Sequence, residues 1–260
     1  MVAVLGGAAN SLSYINPYDG KISMSSMILQ LTGSREDLVL GATVVQLWGF
    51  SMRMLPVFII SSVIGIRLYR HFCTASVYVF SRYPRRFRWC MSEAFGMLAA
   101  SMMFECSYLF SAIVTAVLRF EVVFDKAGFI LTAYYVIIYT VWLYCAAMLM
   151  GLAATYMGSD AAYIVTIGSQ LFMIAMFGLT ETELGRKTVM LNPMSHLVFG
   201  WQSSEVGVVS AAVGDHVSGN SYGISFGMTY LLFAAAAVAV TYTVGKNIER
   251  RDLFYFEAEA

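Results

Sequence analysis

Long apolar stretches separated by short polar connections dominate this sequence. A helix that crosses a bilayer needs about 20 mostly apolar residues, and five stretches come close to or exceed that length. They run over about 44–68, 91–118, 129–152, 161–179 and 226–244. The pattern therefore predicts an all-α protein, a polytopic helical bundle with five membrane spans.

The composition favours a membrane protein over a soluble bundle. Hydrophobic residues make up 59% of the chain and charged residues only 12%, whereas soluble domains carry about 25% charged residues. The formal net charge is zero, so the overall balance of charge does not indicate a partner; the lipid bilayer is an expected partner and nucleic acid is not. The cysteines and histidines show no metal-ligand spacing, and we expect no metal site and no bound cofactor.

Basic residues are concentrated in two places along the chain. Because Lys and Arg collect in cytoplasmic loops, residues 69–90 are predicted to form a cytoplasmic hairpin and residues 246–260 a cytoplasmic tail. Residues 1–43 and 180–225 are then external, and the chain lies in the cell membrane with its C-terminus inside. The cations concerned are Arg67, Arg70, Arg82, Arg85, Arg86, Arg88, Lys246, Arg250 and Arg251.

The external N-terminal segment, residues 1–43, contains turn-forming sequences and the stretch SMSSMILQL, which predicts a surface helix. An apolar start followed by an external loop has two interpretations. Either the protein has five spans and an external N-terminus, or a further span precedes the first residue of this chain. The sequence leaves both open.

The basic hairpin interleaves aromatic rings with arginines. One interpretation is an anchor for anionic lipid headgroups, with the Trp89 indole at the membrane interface. The other is a protruding element that docks on a cytoplasmic protein. Glu93, close to the inner interface, is predicted to pair with Arg86 or Arg88.

The hairpin resembles a segment of the permease subunits of ABC-2-type transporters. These carry, after an early span, an aromatic–x–aromatic–Ser/Thr–Arg–x–x–x–Arg–x–(Arg/Lys)–Trp sequence. The matching residues here are Tyr78, Phe80, Ser81, Arg82, Arg86, Arg88 and Trp89. The stretch MLNPMSHLVFGW (Met190 to Trp201) is similar to the Asn-Pro segment that those permeases place between their last two spans. The resemblance covers residues 45 to 250, but the family's usual six spans include a first one that is absent here.

The resemblance implies a half-transporter that exports a hydrophobic or amphipathic substrate, such as a peptide, drug or lipid-like molecule. A second permease subunit, identical or different, and a separate ABC ATPase are the implied partners. The sequence contains no GxxxxGK[ST] phosphate loop, so ATP and Mg²⁺ would bind the partner, and this chain would not itself be an enzyme. The residues implied in contacting the ATPase are Tyr78, Phe80, Arg82, Tyr83, Arg85, Arg86, Arg88 and Trp89.

Two charged residues, Arg53 and Glu105, lie well away from the ends of predicted spans, and such residues are candidates for function. Arg53 and Glu105 lie at similar predicted depths, so they are expected either to form a buried pair or to line a substrate path. Tyr135, Tyr139 and Trp142 crowd the third span. They are expected either to line the same path or to pack ordinarily.

Two other classes of protein remain as alternatives. A non-transporting scaffold or assembly subunit of a membrane complex would fit the same spans and the same hairpin. An intramembrane enzyme is less consistent with the sequence, because it contains no HExxH and no GxSxG motif.

Overall fold

The computed structural model describes residues 1–16, 20–33, 42–78, 86–179, 183–204, 206–214 and 224–250. The helices are α1 (Val2–Tyr14), α2 (Met24–Leu31), α3 (Val44–Tyr78), α4 (Arg86–Arg119), α5 (Lys126–Ala175), α6 (Glu183–Leu191), α7 (Gly207–Gly214) and α8 (Phe226–Arg250). The strands are β1 (Lys21–Ser23), β2 (Glu121–Val123), β3 (Gln202–Ser203) and β4 (Ile224–Ser225), and short 3-10 helices cover Met176–Gly178, Pro193–Leu197 and Phe199–Trp201.

The chain forms two compact units. Unit 1 consists of Met1–Pro56, Met103–Tyr139 and Ser169–Leu232, and unit 2 consists of Val57–Met102, Thr140–Gly168 and Phe233–Ala260. Helices α3, α4, α5 and α8 therefore contribute residues to both units. The prediction of a single permease domain over residues 44–245 stays a prediction.

The all-α prediction is confirmed, with two short parallel ribbons as the strand content of the described residues. Ribbon β1–β2 pairs Ile22 with Val122, and ribbon β3–β4 pairs Gln202 with Ile224. Four helices in the described ranges are long and apolar enough to cross a membrane. They cover Val44–Cys73, Arg86–Arg119, Lys126–Gly178 and Phe226–Arg250, which is compatible with a membrane protein.

The third and fourth predicted spans are two arms of the one helix α5. Its 50 residues would measure about 75 Å if straight, more than twice the roughly 30 Å core of a bilayer. The helix is interrupted at Gly158, where φ is 80°, a left-handed conformation that glycine adopts without strain. Ala162 packs with Met150 and Ala154 beyond the break, so the chain turns back there. The number of membrane crossings stays a prediction.

Unit 1 includes the N-terminal residues as part of its core. A Cβ atom on Gly7 would clash with the Tyr108 carbonyl oxygen, so the backbones of α1 and α4 are in contact.

The helix predicted in SMSSMILQL exists as α2, but its predicted surface position is wrong. Seven of its residues are buried: Met24, Ser25, Met27, Ile28, Leu29, Gln30 and Leu31.

One carboxylate organises two helix starts in unit 1. Asp125 caps α5 by accepting a hydrogen bond from the Gly128 amide at 3.2 Å, and it also accepts one from the Ser25 amide at 3.0 Å. Helix N-termini leave amide donors without intrahelical partners, and Asp125 satisfies a donor in each of α2 and α5. It thereby fixes the buried helix α2 against the start of α5.

Unit 2 is held by a close crossing of α3 and α5. A Cβ atom on Gly65 would lie 2.6 Å from the Ala147 carbonyl oxygen, and one on Gly151 would lie 3.0 Å from the Gly65 carbonyl oxygen. Small residues at such crossings let helix backbones approach in a membrane, where dispersion contacts replace the hydrophobic effect as the main attraction. The fully buried side chains of Leu68 and Phe72 fill the core beside this crossing.

Candidate functional site

The candidate site is a buried polar cluster in unit 1, where α1, α3, α4 and α5 meet. Glu105 is fully buried on α4. Neither of its carboxylate oxygens has a hydrogen bond of good geometry within the described part of the chain. The Tyr135 hydroxyl lies close enough for a weaker interaction with the carboxyl group. A buried carboxyl group without full hydrogen bonding is costly in a protein interior, so Glu105 stands out as a functional candidate.

Arg53 belongs to the same cluster. Its guanidinium lies 4.2 Å from the centre of the Tyr14 ring, a cation–π contact. Tyr108 and Tyr139 interact electrostatically with both Arg53 and Glu105. Both charged residues therefore lie near the same two tyrosines. Neither Glu105 oxygen accepts a hydrogen bond of good geometry from Arg53, and the roles as charge pair or substrate path stay predictions.

Asn10 connects α1 to this cluster. Its side-chain amide donates a hydrogen bond to the Arg53 carbonyl oxygen at 2.9 Å and contacts the Tyr108 hydroxyl. The Tyr14 hydroxyl donates to the Gly49 carbonyl oxygen at 3.1 Å. The first helix therefore contributes two polar side chains to the surroundings of Arg53.

The predicted aromatic stripe on α5 is divided between the units. In unit 1, the rings of Tyr135 and Tyr139 stack with centroids 4.2 Å apart, and the Tyr139 hydroxyl donates to the Leu197 carbonyl oxygen at 3.0 Å. In unit 2, the Trp142 ring packs edge-on against Phe233 at 6.1 Å. All three side chains are buried. Their role in a substrate path stays a prediction.

From Asn192 onward, the Met190 to Trp201 stretch is largely buried in the unit 1 core, whereas Met190 and Leu191 are exposed. Asn192 caps the short helix Pro193–Leu197 and donates to the Met173 carbonyl oxygen at 2.7 Å. His196 is buried between Thr229, 2.8 Å from its Nδ1, and the Met190 carbonyl oxygen, 3.1 Å from its Nε2. Burial lowers the pKa of His196, and the hydrogen bond to Met190 opposes that shift. The imidazole is therefore suited to act as a neutral structural link.

The coupling hairpin predicted at 69–90 is largely helical. Helix α3 continues to Tyr78 and α4 begins at Arg86, so both helices extend well beyond the predicted span ends at 68 and 91. Arg88 is exposed and Arg86 half-exposed. Four predicted contact residues lie outside the described residues, as does the side chain of Tyr78: Phe80, Arg82, Tyr83 and Arg85.

One expected contact next to the hairpin is wrong. Glu93 was expected to pair with Arg86 or Arg88, but it pairs with His71 at 3.1 Å. The two arginines precede it by seven and five residues, not by the three or four at which side chains on one helix are neighbours. The Trp89 ring packs against the fully buried Phe72, with centroids 6.3 Å apart, and its expected position at the membrane interface stays a prediction. Both contacts join α3 to α4.

Sequence analysis did not single out two residues of the candidate site, Asn10 and Tyr108, or the buried His196 of the Met190 to Trp201 stretch. Asn10 follows an apolar stretch too short for a span, and the tyrosine and histidine are isolated in apolar surroundings. The one available signal was the Gly6–Gly7 pair ahead of Asn10, which is typical of helices that pack closely.

Within the described ranges, no three metal-ligating side chains come together. In comparisons with protein-family models, curated proteins and solved structures, no match to this chain was found.

Proposed function

We propose that this chain is the membrane-spanning permease subunit of an ABC-type exporter. It crosses the cell membrane five times, with its C-terminus in the cytoplasm. A separate ATPase binds ATP and Mg²⁺ and drives export of a hydrophobic or amphipathic substrate. A second permease subunit, identical or different, completes the translocation path.

The observation that carries the proposal is the helical form of the two described flanks of the basic hairpin, residues 69–78 and 86–90. Helices α3 and α4, with 35 and 34 residues, each measure about 50 Å, longer than the roughly 30 Å hydrocarbon core of a bilayer. The Phe72–Trp89 contact and the His71–Glu93 pair hold α3 and α4 together next to the hairpin. A headgroup anchor needs only cations, whereas an element that transmits ATPase movement to the spans must be stiff.

The distribution of charge in unit 2 supports a cytoplasmic position for this hairpin. A Cβ atom on Gly245 would lie 2.7 Å from the Phe87 ring, so the end of α8 meets the start of α4. Arg86, Arg88 and Lys246 are therefore at one end of the unit. Clustering of cations on one side is the signature of a cytoplasmic face. The reversal of α5 at Gly158 supports five crossings, because its two arms then run in opposite directions.

The proposed function is tested by co-purification of this chain with candidate ABC ATPases, each co-expressed with it in turn. Arg82→Glu combined with Arg86→Glu is expected to abolish association, because it reverses the charge of the docking surface. Lys126→Glu combined with Lys187→Glu is the matched control, since it reverses two exposed cations outside the hairpin and should leave association intact.

Membrane insertion has to be unchanged in both variants for the comparison to count. Stoichiometric ATPase binding by the Arg82→Glu, Arg86→Glu protein would refute the coupling role. Failure of the unmodified chain to bind any ATPase would instead favour the scaffold alternative.

Topology is tested by labelling single cysteines in intact cells with a reagent that cannot cross the membrane. Cys90 is fully buried and unsuitable, so the native cysteines are first replaced by serine. We expect label on the Lys126→Cys protein and none on the Arg250→Cys protein. The reverse pattern would overturn the proposed orientation.

A further inference from the structure

An apolar groove lies in unit 2, between the first part of α4, the middle of α5 and the last part of α8. Its volume is about 400 Å³, and its walls include Phe87, Leu98, Val141, Tyr144, Val238 and Tyr242. This volume is in the range of sites that hold small molecules. Nothing in the proposed transport function assigns an occupant to it.

Two polar side chains in the groove wall, Tyr144 and Thr241, have their hydrogen bonds within the protein. The Tyr144 and Thr241 hydroxyls are hydrogen-bonded to each other, and Thr241 donates to the Ala237 carbonyl oxygen at 2.6 Å. With this chain of bonds complete, Tyr144 and Thr241 have no free donor to offer a ligand. A water molecule needs two to four polar partners in such a site, so the groove favours hydrocarbon.

The length of the groove matches one leaflet of a bilayer. From Phe87 to Leu98 it follows eleven helical steps of α4, or about 16 Å. Half of the hydrocarbon core of a bilayer is about 15 Å. A lipid acyl chain lying along α4 would therefore run from the interface to the bilayer centre.

One end of the groove is cationic. The Lys246 ammonium lies 5.6 Å from the centre of the Phe87 ring, and Phe87 itself lines the groove. Arg88, exposed and one residue further along α4, lies at the same end. Lys246 forms an ion pair with Glu249, with 2.7 Å between its Nζ and a carboxylate oxygen. Arg88 is therefore the larger source of positive charge at this end of the groove. Basic residues beside an apolar groove between spans are suited to anionic lipid headgroups.

We propose that this groove binds one anionic phospholipid, with an acyl chain along α4 and its phosphate near Arg88 and Lys246. The inference requires only that the chain lies in a bilayer, so it does not depend on the transport function. A lipid held there fills the space between α4 and α8 and stabilises the position of the hairpin.

The proposal is tested by native mass spectrometry of the full chain in detergent, with added phosphatidylglycerol or phosphatidylcholine of identical acyl chains. We expect preferential retention of phosphatidylglycerol. Arg88→Gln combined with Lys246→Gln should remove most of the preference, a change of about 30-fold if each cation contributes as cations near a membrane surface do. It should leave the weaker binding of phosphatidylcholine unchanged.

The hydrocarbon part is tested by filling the groove. Val238 is 70% exposed, so Val238→Trp is expected to fold and to reduce retention of both lipids. Leu231→Trp is the matched control, because Leu231 is an exposed α8 residue, 76% exposed, outside the groove wall; it should leave retention unchanged. Equal retention of the two lipids by the unmodified protein, or full retention by Val238→Trp, would overturn the proposal. The proposal would also be overturned if the unmodified protein were a dimer and Val238→Trp made it monomeric. In that case a second copy of the chain, and not a lipid, would occupy the groove.

Discussion

The two units bury different kinds of polar side chain. In the described part of unit 2, the buried polar residues are serines and threonines, and several bond carbonyl groups of their own helix. Examples are Ser61 to Phe58 at 2.8 Å and Thr155 to Leu152 at 2.7 Å. Unit 1 also buries amides, an imidazole and a carboxyl group, on Asn10, Gln30, Glu105, Gln170, Asn192, His196 and Gln202.

This difference indicates what each unit depends on. A serine or threonine hydroxyl on a helix can bond a carbonyl three or four residues earlier, so unit 2 needs few long-range polar contacts and depends on close packing. Amide and carboxyl groups need partners that the chain brings from elsewhere. Unit 1 therefore depends on tertiary hydrogen bonds, and its least satisfied member, Glu105, is the functional candidate.

The largest expected effect is from Gly65→Ala, which tests the packing of unit 2. The new methyl group would lie 2.6 Å from a backbone oxygen of Ala147, which no side-chain rotation relieves. We expect a loss of about 2 kcal/mol in the free energy of unfolding, measured as a Tm about 4–8 °C lower in detergent.

Gly96→Ala is the matched control for that variant. Nothing lies within 4 Å of a Cβ atom at Gly96, and alanine favours the helix over glycine. Its Tm should be equal or slightly higher. An unchanged Tm for Gly65→Ala would show that α3 and α5 do not cross closely.

A smaller effect, about 1–2 kcal/mol, is expected from Asn10→Ala in unit 1. The change removes the contact with Tyr108 and the hydrogen bond to the Arg53 carbonyl oxygen. Thermal unfolding in detergent measures it, with Ser13→Ala, at an exposed position of the same helix α1, as a control that should stay within about 0.5 kcal/mol. Equal effects of the two variants would contradict a packed position for α1.

The smallest effect is expected from Glu105→Gln, which sharpens the interpretation of unit 1. Because its carboxylate oxygens accept no hydrogen bond of good geometry, we expect the free energy of unfolding to change by less than about 1 kcal/mol. Loss of one partner of a buried ion pair would cost about 3–5 kcal/mol. If thermal unfolding showed a loss of that size, it would support the interpretation in which Glu105 and Arg53 form a buried charge pair. Transport loss without a stability change would support a role in the substrate path.

Sequence reasoning was most successful where the signal was local. The start of α3 at Val44 and the start of α8 at Phe226 agree with the predicted starts at 44 and 226, since apolar runs and their flanks decide them. It was least successful for Glu93, whose partner His71 is on another helix. It also misplaced α2, because a helix of eight residues has the same pattern whether it is buried or exposed.

The sequence by itself determined the long apolar helices, the interruption between residues 152 and 161 and the concentration of cations in the hairpin. Each depends on neighbouring residues, through helix length, backbone conformation and charge. The tertiary structure alone decided that Asn10 contacts Tyr108, that Gly65 faces Ala147 and that Glu105 lacks a full partner. These contacts join residues far apart in the chain, and their energies depend on which backbones come within a few ångströms of one another.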